Sequence, residues 1–341
     1  MGCPGKMNKK ITIIIIFLII AVSLFISLSS EKNNNKLYSK KRFLMDTTVE
    51  IKVVGSKKSN NIINETFEVM KEWEEELNRY HKNSLVFKLN RNSQNGIKVS
   101  DQKIKLFQEI KKYAKLTDGY FDPTIAPLID LWDFGKKNNQ IPAQNDIKSA
   151  LQLVDYNDIK VDEKENKIYL PQKTKIDLGA VAKGYIIDRA YEFLKANNIN
   201  NFFINAGGNI RVSGMNTSEN RLWNIGISKP RDSSQIYKNY ILSISEGAVA
   251  TSGDYERYFI KNSKRYSHLI NPKTGYPSQE LQSVTIYSSK AISADIFSTS
   301  LFIMGWDKAK ERIKNSDEIA GLLIKDGEIW YSDDFKDIFA K

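Results

Sequence analysis

Asp295 and Thr299 stand four residues apart in the segment SADIFSTSLFIMG, which reads as an apolar helix over Ala294–Met304. Residues four apart on a helix share a face, so a carboxylate and a hydroxyl point the same way. Such a pair is half of a site for a hard cation such as Mg²⁺ when phosphate oxygens complete the shell. A plainer reading also stands: an acid near a helix N-terminus is favoured by the helix dipole, and the threonine only packs. The segment DLGAVAKG, Asp177–Gly184, reads as a strand end, a turn of small residues and a helix start. A helix N-terminus offers free N–H groups to an anion. Lys183 adds a charge that can face a phosphate, and Asp177 can accept hydrogen bonds. The pattern is neither a Walker A loop nor GxGxxG. Gly207 and Gly208 follow a strand at Asn201–Asn205 and permit close backbone approach. His268 closes a strand just before the turn Asn271–Gly275 and is a candidate base, or else a structural histidine. His81 lies in a polar loop without a constellation around it and reads as surface.

Composition narrows the chemistry. Cys3 is the one cysteine in 341 residues, so an intramolecular disulfide and a cysteine-based metal site are excluded. Two histidines make a His-rich zinc site a poor fit, which leaves oxygen ligands. The formal net charge is +11, from 51 basic and 40 acidic residues. The lysines are scattered among Asn, Ile and Ser, so the charge reads as a solvated surface, and no nucleic-acid partner is expected.

These residues need elements to hold them. Lys6, Lys9 and Lys10 precede a run over residues 11–30 that contains no charge. About 20 apolar residues can span a bilayer, and basic-then-apolar is also the layout of a secretory signal. Residues 1–30 are therefore expected to be a signal peptide or membrane anchor, with residues 31–341 on the extracytoplasmic side. Ser27–Leu28–Ser29 is a weak cleavage signal. Loss of residues 1–30 removes three lysines and no acid, leaving +8. Residues 31–42 read as a polar tether, and 43–341 as one folded domain. Strands are predicted at Met45–Val54, Lys167–Leu178, Asn201–Asn205 and 222–228, 240–245, 256–260, 265–270 and 282–287. Helices are predicted at Asn61–Asn78, Ile104–Leu116, Ile147–Leu153, Ala182–Asn197 and Ala294–Met304. Gly321–Lys325 and Glu328–Tyr331 form a hairpin through Asp326–Gly327, a type I′ turn signal. Strands and helices mix without a regular βαβ beat, which predicts an α+β fold of mixed sheets flanked by helices.

Taken in order, MDTTVEIKV, DGYFDPTIAPLIDLWDFG, KIDLGAVAKGYIID, INAGGNIRVSG, ATSGDYERYF, YSHLINPKTGYP and SADIFSTSLFIMG resemble the ApbE family of FAD:protein FMN transferases. The resemblance spans residues 45–305, about three quarters of the chain. It implies Mg²⁺-dependent transfer of FMN from FAD to a Thr or Ser hydroxyl of a partner protein, with release of AMP. It implies that Met45 and Tyr120, Phe121 and Asp122 contact the flavin or its linker, and that Asp177 and Lys183 contact FAD. By the same token the Ala180 carbonyl, Asp295 and Thr299 hold Mg²⁺, Ile270 lines the FAD pocket near Gly207–Gly208, and His268 is the general base. The implied acceptors are flavoprotein subunits of membrane redox complexes or other exported flavoproteins. Two departures stand out. Ser298 replaces a second acid of some members, and no cysteine follows the apolar run as a lipoprotein anchor would require. An FAD pyrophosphatase giving FMN and AMP would use the same pocket. A non-enzymatic flavin-binding protein would leave Asp295 and Thr299 without a task.

Overall fold

A computed structural model describes residues 16–21, 23, 36–134 and 140–340. The expected leader and the first part of the tether lie almost wholly outside the described residues. Residues 16–21 and 23 are helical and exposed. Among the described residues no helix is long and apolar enough to cross a membrane.

The centre is an eight-stranded antiparallel sheet in the order β1-β2-β6-β7-β10-β13-β14-β15. Its strands are β1 (Lys36–Leu44), β2 (Thr47–Gly55), β6 (Phe202–Ala206), β7 (Asn209–Ser213), β10 (Glu246–Gly253), β13 (Ser283–Ser288), β14 (Ile319–Lys325) and β15 (Glu328–Tyr331). Strands β3 (Ile97–Lys98), β4 (Lys160–Asp162) and β5 (Lys167–Tyr169) form a small sheet. Two ribbons complete the β structure: β8 (Trp223–Lys229) with β9 (Asp232–Ile244), and β11 (Tyr258–Lys261) with β12 (Lys264–Ser267). The architecture is the α+β arrangement expected.

Three helices cover one sheet face: α1 (Ser59–Leu77), α6 (Ala182–Ala196) and α7 (Ala291–Met304). Between them in the chain lie α2 (Leu85–Asn92), α3 (Asp101–Leu116), α4 (Ala126–Trp132) and α5 (Gln144–Leu151). After α7 come α8 (Trp306–Lys314) and α9 (Asp333–Asp337). Nearly every residue of α7 is buried, as its apolar sequence demands for a helix covered on all sides. The main core lies between the sheet and these helices, and a second core with Val212, Trp223 and Leu242 fills the opposite face.

Two readings need correction. Residues 36–42 are not tether but most of edge strand β1. Two of their charges, which read as solvated, are taken up by α1: Lys40 Nζ donates to Asn64 Oδ1 (2.8 Å) and Arg42 to Glu68 (2.5 Å). Lysines on an edge strand also discourage further pairing. The expected strand Lys167–Leu178 is regular only to Tyr169. Beyond it the side chain of Asn90 stands in for a neighbouring strand, accepting from Ile176 N (2.7 Å) and donating to its carbonyl (2.9 Å).

Candidate active site

Antiparallel register gathers several turns at one end of the sheet. The β1–β2 turn is Met45–Asp46, both at positive φ (54° and 56°), and it sits beside the β6–β7 turn. Gly207 is required there, because a Cβ would lie 2.4 Å from Thr47 Oγ1. Gly208, at φ 96°, has open space around its Cα. Its N–H donates to Asn205 Oδ1 (2.9 Å). Glu74, in the last turn of α1, accepts from Met45 N (2.7 Å) and fixes that turn. By register β10 ends at the same place, with Val249 opposite Ile210 and Gly253 opposite Ser283.

Helices α6 and α7 bring Lys183 and Asp295 to this end. The Gly184 N–H, whose helical partner would be the Ala180 carbonyl, donates instead to Asp295 Oδ2 (2.9 Å). That leaves the Ala180 carbonyl without a backbone donor among the described residues. Asp295 is buried and, among the described residues, makes no ion pair within 4.0 Å. Burial raises its pKa, while Lys183, the Gly184 N–H and Asn209 pull it down. The Asn209 amide lies beside the carboxylate, although its Nδ2 is buried without a hydrogen bond of full geometry. One turn along α7, Thr299 Oγ1 and Ser298 Oγ each lie 3.0 Å from Ser252 Oγ on β10.

His268 follows β12. Its backbone N–H donates to the Arg257 carbonyl (2.9 Å), and Nδ1 lies 3.3 Å from the same oxygen. A carbonyl only accepts, so Nδ1 carries the proton and Nε2 keeps its lone pair. Burial pushes the imidazole down from 6.5 to about 4, with the charges of Arg257 and Lys183 helping and the Arg257 carbonyl opposing. Lys183 thus acts on both His268 and Asp295. Three segments far apart in sequence meet around it.

The oxygens present fit a hard cation. A buried carboxylate without an ion-pair partner in contact is costly. A hydroxyl one turn away and a carbonyl freed of its helical donor are ligands of the type Mg²⁺ takes. Among the described residues no group of three or more His, Cys, Asp or Glu could hold a metal. A cation here would rest on one carboxylate, with ligand phosphates supplying the remaining negative charge.

The other predicted residues divide. Asp177 Oδ1 accepts from Gly179 N (2.8 Å) and Oδ2 pairs with Arg79 (3.1 Å), whose other arm reaches Asp130 (2.6 Å). Asp177 N also donates to the Pro123 carbonyl, joining this segment to the loop that holds Tyr120. Tyr120 is half-buried, with Lys308 donating to its hydroxyl (3.0 Å) and Lys273 Nζ 4.3 Å from its ring centre. Phe121 and Asp122 point inward instead. Phe121 joins the main core. Asp122 accepts from Thr124 N (2.8 Å), Thr124 Oγ1 (2.6 Å) and Tyr156 N (3.1 Å), so it organises the loop. Ile270 is likewise buried, packed with Leu128, Trp132 and Phe259, because the Asn271–Gly275 turn is pinned by Trp132 Nε1 on the Gly275 carbonyl (2.7 Å). His81 is exposed, as expected.

Sequence reasoning missed Glu74, Arg79, Asn209 and Ser252. Asn209 and Ser252 lie inside quoted segments, where alternation from the Gly pair and from Asp254 could have flagged them. Arg79 has no local signal, since Asp177 is 98 positions away.

A model of the ApbE family matches residues 45–323. The FAD:protein FMN transferase of Haemophilus influenzae is 31% identical over 319 residues, covering 90% of this chain and 92% of its own. That of Buchnera aphidicola is 32% identical over 303 residues, 87% of each. Among solved structures, the ApbE protein of Thermotoga maritima superposes with a TM-score of 0.82 at 32% identity, over 90% of this chain and 100% of that one. The flavin transferase ApbE of Vibrio cholerae gives 0.79 at 26%, over 89% and 99%. A match that opens on the β1–β2 turn and closes inside β14, shared with relatives over most of their length, makes the assignment plain: the chain belongs to the ApbE family.

Proposed function

We propose that this flavin transferase moves FMN from FAD to a Thr or Ser hydroxyl of an acceptor protein, with Mg²⁺ assisting and AMP leaving. The hydroxyl oxygen forms a bond to the FMN-side phosphorus. The bond between the two phosphates breaks, and AMP departs with that oxygen and its charge. The hydroxyl proton goes to His268 Nε2. Lys183, at the first turn of α6, faces the diphosphate. Asp295, Thr299 and the Ala180 carbonyl would hold Mg²⁺, which neutralises the diphosphate and eases AMP's departure. Tyr120, Met45 and the Gly207–Gly208 turn would border the flavin, and Asp177, held by Arg79, would meet FAD beside the α6 N-terminus.

The observation that carries this reading is the buried Asp295 carboxylate, without an ion-pair partner among the described residues, and the charge of Lys183 acting on both it and His268, whose Nδ1 faces the Arg257 carbonyl. The charge-free run at residues 11–30 behind three lysines supports an extracytoplasmic domain, anchored or secreted, whose acceptors are exported flavoproteins or subunits of membrane redox complexes. The test is AMP release from FAD and Mg²⁺ with and without an acceptor flavoprotein. Acceptor-dependent AMP release with flavin covalently retained is expected. Equal AMP release without acceptor would make the protein a pyrophosphatase, and tight FAD binding without turnover a carrier.

A further inference from the structure

We propose that Asp188 is a positioning residue for the cation site, although it touches neither Asp295 nor Thr299. The proposal rests on the cation reading given above. Asp188 is buried in α6, one turn after Gly184. One carboxylate oxygen accepts from Ala291 N (2.8 Å) and from Arg211 Nη1, and the other from Ile292 N (3.0 Å). Ala291 and Ile292 open α7, and first-turn N–H groups have no partner within their own helix. Lys290, at the N-cap, offers no capping side chain. The cap is therefore supplied by another helix.

The contacts form two layers. Gly184 of α6, Asp295 of α7 and Asn209 of β7 make the upper one. Asp188, the Ala291–Ile292 backbone and Arg211 make the lower, each one helical turn or two strand residues from its upper counterpart. Arg211 is held in turn over the Tyr191 ring, 3.6 Å from its centre. A Cβ on Gly184 would stand 2.4 Å from the Ala291 carbonyl oxygen, so the two helices meet backbone to backbone at this level. Where the lower layer fixes the start of α7, the carboxylate one turn on is fixed as well. Asparagine at position 188 could accept only on its carbonyl oxygen and would turn an N–H₂ toward a donor.

The test is Asp188→Asn in the full chain with FAD, read by Mn²⁺ binding in electron paramagnetic resonance as well as by transfer. Outer-shell partners of metal ligands typically govern affinity by about 10–100-fold. Mn²⁺ affinity is expected to fall by that factor at a temperature well below unfolding, with metal-free FAD affinity within about three-fold. A lower melting temperature with Mn²⁺ affinity within two-fold of wild type would mean a merely structural role and overturn the proposal. If the single variant does not fold, Asp188→Asn with Arg211→Met removes both charges together and must show the same loss. If Asp295→Ala leaves Mn²⁺ binding intact, the cation reading fails and this inference with it. Intact wild-type binding and loss in Asp295→Ala, but no loss at Asp188, would refute this inference alone.

Discussion

His268 offers the sharpest prediction. An ordinary imidazole titrates near 6.5, whereas this one is pushed down to about 4. At pH 7 that gap leaves about one molecule in a thousand protonated, so the base is ready without help from alkaline solution. Residue type alone predicts a rate that climbs with pH through about 6–7. The structure predicts instead that kcat/KM, which reports the free protein, is flat in His268 from pH 6 to 8. Bound FAD brings a negatively charged diphosphate to Lys183 and raises the imidazole pKa. The acid limb of kcat should therefore lie above that of kcat/KM. His268→Ala should slow transfer by ~10²–10⁴-fold and leave FAD affinity within a few-fold. Stability carries the same signature. The unfolded chain takes up the proton first as pH falls, so His268 contributes stability above 6.5 that is lost as pH drops toward 4. The variant should lack that portion of the acid sensitivity. A wild-type kcat/KM limb at 6.5 that vanishes in His268→Ala would refute the argument that burial controls this group. A variant with a near-normal rate would remove it from the mechanism.

Other perturbations follow from the same contacts. Asp295→Ala should abolish Mg²⁺-dependent turnover while FAD binding survives through the residues bordering the flavin and through Asp177; an unchanged Mg²⁺ titration would mean the metal lies elsewhere. Arg79→Ala unpins Asp177 and Asp130 together and should weaken FAD binding, measured by flavin fluorescence, with Arg79→Lys giving only partial recovery because one ammonium cannot reproduce the guanidinium fork. Asp122→Ala strands the Thr124 and Tyr156 N–H groups and should cost about 2–6 kcal/mol at about 1–3 per buried unpaired group, read as a lower urea midpoint; an unchanged midpoint would show that solvent replaces the carboxylate. In intact spheroplasts, external protease should reach the folded domain, and full protection would contradict an extracytoplasmic placement.

Legibility in the sequence tracked how local the cause was. The segment Ala182–Asn197 shows its helix because the apolar period is complete within it, and the Asp326–Gly327 hairpin because the turn chemistry is. Asp295 and Thr299 could be paired from their spacing alone. Strand β1 was hidden because Lys40 and Arg42 are satisfied by Asn64 and Glu68 of a helix that follows later. Strands β7 and β10 were hidden because Gly-rich turns at their ends look like loop. The inward turn of Phe121 and Asp122 depends on Tyr156 N, and the burial of Ile270 on Trp132. Arg79 gains its meaning from Asp177 across 98 positions. None of these partners is visible in a window of sequence.

The central claim is that one site, built from Lys183, Asp295 and His268, passes FMN from FAD to a protein hydroxyl. It is tested most directly by intact-mass spectrometry of a candidate acceptor incubated with this protein, FAD and Mg²⁺. The acceptor should gain one covalently bound FMN at a Thr or Ser, with one AMP released per FMN gained and neither product formed by Asp295→Ala. An acceptor of unchanged mass while FAD is consumed to free FMN and AMP would contradict the account.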